Sequence, residues 1–314
     1  MKEKLCFVQF LHPGGESRPR KGEKQIGWNT GSHKRKFLVS PGSYIEKLEG
    51  VKKETEELCF WGEWEPPSGV TPISSSTPQN GLPNCFHFPY YVSSRPDEVQ
   101  NTDPFVFGGP FLYSNCMQWS QQRGSWNSLH NLANGSVILF GSNMGGFFIL
   151  DTVFVVKNSV EITGNNLNVF QSLPKSFKAA TLTLLTAPKE GENFRLYFGA
   201  TLEKPQDGMF SFFPAQRKEN CSKGFQRPVI ELNGIIANKQ KQGYGLNIQT
   251  RGNAGVVKKL WEKVVNQVIE QKCVLGTYAE EPTLEANDSK GKSGHQPTGC
   301  SPAGCLRKGA VLDN

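Results

Sequence analysis

Positively charged side chains are concentrated at the N-terminal end of this chain, where they surround a tryptophan. The first 53 residues contain twelve Lys/Arg and five Asp/Glu, which accounts for the whole net charge of +7. Several cations on one face neutralise phosphates, and planar rings or amides beside them contact bases. The pattern predicts phosphate and base binding; the alternative is a solvated loop with one buried tryptophan. The candidate residues are Arg18, Arg20, Trp28, Asn29, Lys34, Arg35 and Lys36.

A second candidate is the aromatic and acidic segment Phe60-Trp61-Gly62-Glu63-Trp64-Glu65. In a strand, alternate side chains point to opposite faces, so Trp61, Glu63 and Glu65 share one face and Trp64 lies on the other. We expect one face to present an aromatic plane beside a carboxylate, able to stack a base and accept from its amino edge, while the other face packs in the core. The alternative is a tryptophan that covers a barrel edge beside exposed acids.

A third candidate is the polar and aromatic stretch 101–119. Asn115 and Gln118 carry both donors and acceptors, as the reading of a base edge requires. Cys116 lies between them, but no basic residue adjoins it in sequence to lower the pKa of a nucleophilic thiol. A rival hypothesis is an enzyme acting on a nucleotide or small phosphorylated ligand, with a pocket lined by Glu63, Asp103, Cys116 and Asp151. A third possibility is a structural module that docks a protein partner.

Signatures of known catalytic and metal sites are missing from the sequence. It contains no phosphate-binding Gly-rich motif, no Gly-x-Ser-x-Gly, no His-Glu-x-x-His and no Cys-x-x-Cys. The close pair Cys300 and Cys305 has no partners at zinc-ligand spacing. We therefore expect no metal and no cofactor. Spacing alone assembles no site from the first four histidines, although residues far apart in sequence can converge in space.

The elements that must position these residues are mostly short strands. The apolar run 135–142 and the run 147–156 flank Asn143-Met144-Gly145-Gly146, which predicts an antiparallel hairpin. Further strands are expected at 5–11, 37–39, 57–65, 180–186, 194–200 and 208–214. A helical stretch is expected at 43–48, and a short helix broken at Pro174 at 168–178. Residues 14–35 read as a long surface loop, and residues 66–104 as a Pro/Ser-rich loop.

One helix is predicted from hydrophobic periodicity. Seven apolar residues lie at offsets 0, 3, 4, 7, 8, 11 and 12, which is the spacing of a wide helical stripe. Gly276 is expected to cap the helix at its C-terminal end. The stripe favours core packing over a partner groove. Its residues are Val257, Leu260, Trp261, Val264, Val265, Val268 and Ile269.

The fold class that follows is α+β and β-dominated: an antiparallel, mixed, barrel-like sheet with a long C-terminal amphipathic helix. Residues 1–279 are expected to form a single globular domain, and residues 280–314 a disordered polar tail. No apolar run approaches the ~20 residues of a membrane helix. We therefore expect a cytoplasmic protein without a membrane partner, and the oligomeric state stays open.

The hairpin sequence, with Gly135-Ser136-Val137 opening its first strand and Asp151-Thr152-Val153 in its second, resembles barrel strands of the PUA-like superfamily, which includes ASCH, EVE and YTH modules. Ser136 stands where that pattern usually has an acid. The chain as a whole also resembles bacterial proteins without an assigned activity. The PUA-like resemblance implies a pocket for a nucleobase, often a modified one. Together with the basic residues, it leads us to expect binding of a nucleic acid or a nucleotide.

Overall fold

Strands dominate the structure. The computed structural model describes residues 3–12, 14–31, 33–73, 81–120, 123–163, 167–182, 194–233, 235–236, 243–246 and 252–285. The strands of these residues are β1 Phe7–Leu11, β2 Gln25–Ile26, β3 Arg35–Ile45, β4 Glu54–Glu63, β5 Ser68–Pro72, β6 Cys85–Tyr91, β7 Leu112–Tyr113, β8 Trp119–Ser120, β9 Ser125–Trp126, β10 Val137–Met144, β11 Phe147–Ile162, β12 Phe194–Gly199, β13 Phe213–Arg217, β14 Val229–Ile230, β15 Gly243–Leu246, β16 Val274–Ala279 and β17 Thr283–Leu284. The β-dominated prediction is confirmed.

Helical segments are few among the described residues. The α-helices are α1 Lys175–Phe177 and α2 Ala254–Glu270. The 3-10 helices are Ser128–Asn131, Leu167–Ser172 and Lys218–Asn220, and Lys178–Leu182 forms a π-helical turn.

The strands assemble into two large mixed sheets and the short β8–β9 pair. One sheet has the order β15-β1-β10-β11-β12-β7, with β14 paired to β11. The other has the order β16-β13-β4-β3-β6-β5-β2, with β17 paired to β6. Its strands β3, β4, β13 and β16 pair antiparallel in a closed ring, because β16 also pairs with β3. This four-stranded barrel agrees with the barrel-like expectation.

The strand pair β3–β4 separates two apolar cores. Phe37 and Trp61 contribute to one core, whereas Leu38, Phe60 and Trp64 contribute to the other. The predicted alternation along the aromatic segment is therefore confirmed. The predicted exposed face is wrong, since both faces of this strand pair are covered by core residues. Each large side chain buried there contributes about 1.5–3 kcal/mol.

The predicted hairpin is present as β10 and β11. Val137 pairs with Val155, and the register shifts at a bulge between Phe140 and Gly141. A Cβ on Gly141 would lie 2.1 Å from the carbonyl oxygen of Ile149, so only glycine fits this bulge. The carbonyl of Gly141 accepts the backbone N–H of His12 at 2.7 Å, directly after β1. The hairpin thus fixes the first residue of the candidate site.

Helix α2 has the predicted apolar stripe but is shorter and less terminal than expected. It is 17 residues long, begins at the cap Asn253 and is followed by strands β16 and β17. Trp261 lies on its buried face and donates from Nε1 to the carbonyl of Phe210 at 3.2 Å. Gly276 is not the helix cap: it lies within β16, where an added Cβ would meet Phe213 at 2.1 Å.

Other segments differ from the predicted elements. Residues 43–45 continue β3 as a strand, and residues 66–104 contain β5 and β6. The strand predicted at 208–214 begins only at Phe213. Residues 180–182 are helical, while 183–186 lie outside the described residues. In the predicted polar tail, Thr283 and Leu284 pair with Tyr90 and Tyr91 of β6, and residues 286–314, with Cys300 and Cys305, lie outside the described residues.

Candidate functional site

Charged side chains from distant parts of the chain meet in the interior. His12 follows β1, His33 precedes β3, Glu63 ends β4 and Asp151 lies within β11. Burying so many charges costs free energy unless they are paired, so a cluster of this kind is unusual in a core. We call this group the charge cluster; it consists of His12, Glu16, His33, Arg35, Glu63, Glu65, Asp151 and Arg227.

Asp151 links two buried guanidinium groups. Its Oδ2 accepts from Arg35 Nε at 2.9 Å, and its Oδ1 accepts from Arg227 Nη1 at 3.0 Å. Arg227 also lies 3.7 Å from Glu16, and Arg35 lies 3.7 Å from Glu63. The exposed fractions of Asp151, Arg35 and Arg227 are 4%, 1% and 3%, so these pairs are shielded from water. The carboxylate of Asp151 is therefore both buried and paired.

The two histidines of the cluster share the carboxylate of Glu63. His12 Nδ1 lies 2.5 Å from Glu63 Oε2, without the angular geometry of a hydrogen bond. His33 Nδ1 lies 3.2 Å from the other oxygen of Glu63 and 3.6 Å from Glu65 Oε1. The two imidazole rings are 5.2 Å apart. The side chains of His12, His33 and Glu63 thus meet at one place in the interior.

The environment gives these four groups different protonation states. Burial lowers the pKa of His12. Burial also opposes charge on His33, but Glu63 and Glu65 outweigh it and raise the pKa of His33 to about 10. For Glu63, the charges of His12 and Arg35 outweigh burial and lower its pKa. Burial raises the pKa of Glu65 to about 7, and the charge of Glu63 adds to this shift.

A small cavity adjoins the cluster. His12, Arg35, Glu63 and Asp151 line it together with apolar residues of the core that contains Phe60, and its volume is about 10 Å³. That volume is about what one water molecule needs. The cavity as it stands therefore has room for a water molecule or an ion next to these side chains, and not for an organic substrate.

A much larger opening lies on the surface above the cluster. It has a volume of about 320 Å³, at the lower end of the ~300–1,000 Å³ typical of small-molecule sites. We call it the basic cleft; its lining residues are Ser17, Arg18, Pro19, Arg20, Glu23, Ile26, Gly27, Trp28, Asn29, Thr30 and Lys34. Five of the predicted binding residues are therefore brought together: Arg18, Arg20, Trp28, Asn29 and Lys34.

The cations of the basic cleft are exposed, unlike those of the charge cluster. Arg18, Arg20 and Lys34 all reach solvent. Trp28 is half-buried, and the guanidinium of Arg95 lies over its ring at 4.7 Å from the centroid. Glu23 is the one acid that lines the cleft among the described residues, and its carboxylate accepts from the backbone N–H of Arg20 at 2.6 Å. The lining is net positive.

Consecutive side chains of residues 33–35 point alternately to the charge cluster and to the basic cleft. His33 and Arg35 point into the cluster, and Lys34 between them lines the cleft. The backbone N–H of Asn29 donates to the carbonyl of Glu65 at 2.9 Å, and that of Ser17 donates to the carbonyl of Arg35 at 2.7 Å. The floor of the cleft is thus bonded directly to the segments that carry the buried charges.

The remaining predicted residues near the strand pair are buried. Lys36 is fully enclosed and donates from Nζ to the carbonyl of Pro66 at 2.7 Å; burial lowers its pKa to about 7. The indole nitrogens of Trp61 and Trp64 donate to the carbonyls of Phe225 and Pro67. None of these side chains, nor that of Arg35, faces the cleft, so contact with phosphates or bases would require them to leave the core.

Asn115 and Gln118 lie in a separate network. Asn115 accepts from Asn101 at 2.9 Å, and buried Gln118 uses its amide on backbone groups of Ser114 and Arg195. Neither residue lines the basic cleft. Their amides already have partners within the fold, and so they are not arranged to read a base there.

The four residues expected to line the pocket of the rival enzyme hypothesis do not come together either. Glu63 and Asp151 meet through Arg35, but the carboxylate of Asp103 accepts three backbone N–H groups of residues 114–116, each at 2.9 Å. Burial raises the pKa of Cys116 well above its ordinary value, so its sulfur is a thiol rather than a thiolate. The four residues do not line one pocket.

Sequence reasoning missed four of the eight members of the charge cluster. Arg227, Glu16, His12 and His33 were not among the candidate site residues, because their partners are remote in sequence. One signal was present in the sequence: the polar residue His12 directly follows the apolar strand β1.

Comparisons with known proteins found no matching family model, no matching curated protein and no matching solved structure. Among the described residues, no helix is long and apolar enough to cross a membrane.

Proposed function

We propose that this protein binds a nucleotide, free or within a nucleic acid strand, in the basic cleft. One observation carries this proposal: the exposed cations Arg18, Arg20 and Lys34 surround a single open cleft that also contains Trp28. These residues come from both ends of the segment 17–34, and the fold brings them to one place.

The chemistry of the cleft suits a phosphate beside a planar group. Arginine presents paired N–H donors that match phosphate oxygens, and lysine adds a compact charge. Trp28 offers a ring beside those cations, and base stacking on an aromatic ring contributes about 1–3 kcal/mol per base. The guanidinium of Arg95 lies over one face of the half-buried ring, so a base would stack on the other face.

The charge cluster supports the cleft from below. Because the backbones of Ser17 and Asn29 are bonded to the strand ends that carry Arg35 and Glu65, the cleft has a fixed floor. Rigid placement lowers the entropic cost of binding. The nucleobase pocket implied by the PUA-like resemblance stays a prediction, and the cleft is the place in the described structure where we would seek it.

The test is binding as a function of salt. Fluorescence anisotropy with short single-stranded DNA and RNA, and calorimetry with mononucleotides, would distinguish a strand from a free nucleotide. With about three phosphate contacts, affinity for a strand falls roughly 20-fold between 50 and 200 mM salt. Lys34→Gln and Arg20→Gln each weaken binding and reduce the salt dependence by about one contact.

A matched control comes from the same basic segment. Lys52 is exposed over 82% of its side chain and does not line the cleft, so Lys52→Gln removes an equal charge elsewhere. If Lys52→Gln weakens binding as much as Lys34→Gln, the charge acts non-specifically and the cleft is not the site. Absence of binding to all probes at low salt contradicts the proposal as a whole.

An enzyme acting on a nucleotide is the second candidate. The observation in its favour is the buried group of carboxylates and histidines with shifted pKa values beneath the cleft, since such groups are concentrated at catalytic sites. Turnover of a panel of nucleotides by the intact protein would support it. No turnover, together with cleft-dependent binding, would leave the binding function.

A further inference from the structure

We infer that His12, His33 and Glu63 form a binding site for a divalent transition-metal ion, with Zn²⁺ as the best match. The donor atoms of these three residues all lie within 4.8 Å of one another. They come from the end of β1, the approach to β3 and the end of β4. The inference concerns the interior cluster and does not depend on nucleotide binding in the cleft.

Two of the possible metal-binding atoms lack hydrogen-bond partners in the described structure. His12 Nδ1 and Glu63 Oε2 are both buried, and they face each other at 2.5 Å without hydrogen-bond geometry. The exposed fractions of His12 and Glu63 are only 4% and 6%. Two buried lone pairs at this distance need a proton or a metal ion between them, and a shared metal ion would satisfy both atoms together.

The donor set selects the class of ion. Two imidazoles and one carboxylate are the protein ligands of many zinc sites that keep an open fourth position, and they also suit other first-row ions such as Fe²⁺. Ca²⁺ and Mg²⁺ prefer sites made of oxygen atoms. The water-sized cavity beside His12 and Glu63 supplies room for a fourth, non-protein ligand.

The charge around the site also calls for a cation. The cluster contains four carboxylates, Glu16, Glu63, Glu65 and Asp151, against the guanidiniums of Arg35 and Arg227. With all six ionised, the excess is two negative charges; Arg18, 3.1 Å from Glu16, offsets one of them, and a cation bound by the three ligands would offset the other. Glu65, whose carboxylate oxygens have no hydrogen-bond partner in the described structure, lies 3.6 Å from His33 Nδ1 and places a further carboxylate beside the proposed site.

The alternative to a bound metal ion is a proton on His33. A protonated His33 between Glu63 and Glu65 would neutralise part of the same charge without any metal. The two occupants differ in composition and in spectroscopy. The experiment therefore measures the metal itself rather than an activity.

The test uses the full-length protein, stripped with a chelator and titrated with Zn²⁺ against a coloured competitor. Cys300 and Cys305 are replaced by serine in all samples, so that the tail thiols cannot bind zinc. We expect one Zn²⁺ per chain and an increase in melting temperature on binding. Loading with Co²⁺ should give visible d–d absorption without a thiolate-to-cobalt band.

The variants His33→Ala and Glu63→Gln should bind Zn²⁺ at least about 100-fold more weakly, since even the partners of metal ligands cost 10–100-fold. His33 is the safer of the two because 22% of its side chain is exposed, and circular dichroism checks the fold of each variant. His130→Gln, a histidine outside the cluster, should leave the affinity unchanged. The inference is overturned by no stoichiometric binding, by equal affinity in folded His33→Ala, or by a thiolate band with Co²⁺.

Discussion

His87 should make the stability of this protein fall steeply with acid. It lies in β6 with no exposed surface, its Nδ1 is 2.9 Å from Ser68 Oγ, and its Nε2 is buried without a hydrogen-bond partner in the described structure. Burial, with a smaller contribution from the charge of Lys36, lowers its pKa to about 3. The imidazole is therefore neutral in the folded protein throughout the range in which an unfolded histidine gains its proton.

The size of the effect follows from these pKa values. With a pKa of about 6.5 for an unfolded histidine, the unfolded chain binds more protons than the folded one between pH 6.5 and pH 3. The contribution of His87 is fully present above pH 6.5 and is lost as the pH falls below it. Linkage gives a loss of about 2 kcal/mol between pH 8 and pH 5.

Urea unfolding followed by tryptophan fluorescence at pH 8, 7, 6 and 5 measures how the free energy of unfolding depends on pH. The comparison protein is His87→Leu, which removes the titrating group and keeps an apolar side chain. Groups that do not interact with His87 cancel in the difference, so the free energy of unfolding of the wild type relative to His87→Leu should fall by about 2 kcal/mol from pH 8 to pH 5. A difference that stays constant within 0.5 kcal/mol, or that moves in the opposite direction, would refute the reasoning.

Three further predictions concern buried positions. Arg227→Met leaves the carboxylate of Asp151 with one guanidinium fewer and should destabilise by about 3–5 kcal/mol in urea unfolding; a neutral result would mean that the Arg227–Asp151 pair contributes nothing to stability. Lys36 has its pKa lowered to about 7, so the unfolded chain binds more protons from pH 7 upward. The wild type should gain about 2 kcal/mol relative to Lys36→Met between pH 7 and pH 9, and a flat difference would contradict this. Gly276→Ala places a methyl group 2.1 Å from Phe213 and should lower stability by roughly 1–3 kcal/mol; an unchanged melting temperature would show that the ring moves aside freely.

Local patterns predicted the parts of the fold that depend on local physics. The hairpin β10–β11 was evident because two apolar runs flank a glycine turn, and helix α2 because its stripe has helical spacing. Residues 43–45 were predicted as helix but pair with β16, more than 200 residues away. That barrel-closing contact outweighs a weak local preference, as is usual for strands.

For the candidate site, too, the parts formed by residues close in sequence could be predicted and the parts formed by distant residues could not. The basic cleft could be anticipated because its residues lie within a short segment, 17–34. The charge cluster could not, since Arg35 reaches Asp151 across 116 positions and Arg227 reaches it across 76. The aromatic segment misled for a related reason. Strand alternation gave its two faces, but not the second core that covers the face expected to be open.

The wide separation of the cluster residues has a consequence for how the protein folds. The buried charges lie on segments that run from residue 12 to residue 227, so the chain must close long loops before the last pair forms. Contacts of high sequence separation form slowly, because loop-closure entropy is lost before the contacts compensate for it. A nascent or truncated chain that ends before residue 227 holds Asp151 with one of its two arginines missing. We therefore expect this cluster to be completed late in folding, and removal of the chain from residue 227 onward should expose the remaining buried charges to water.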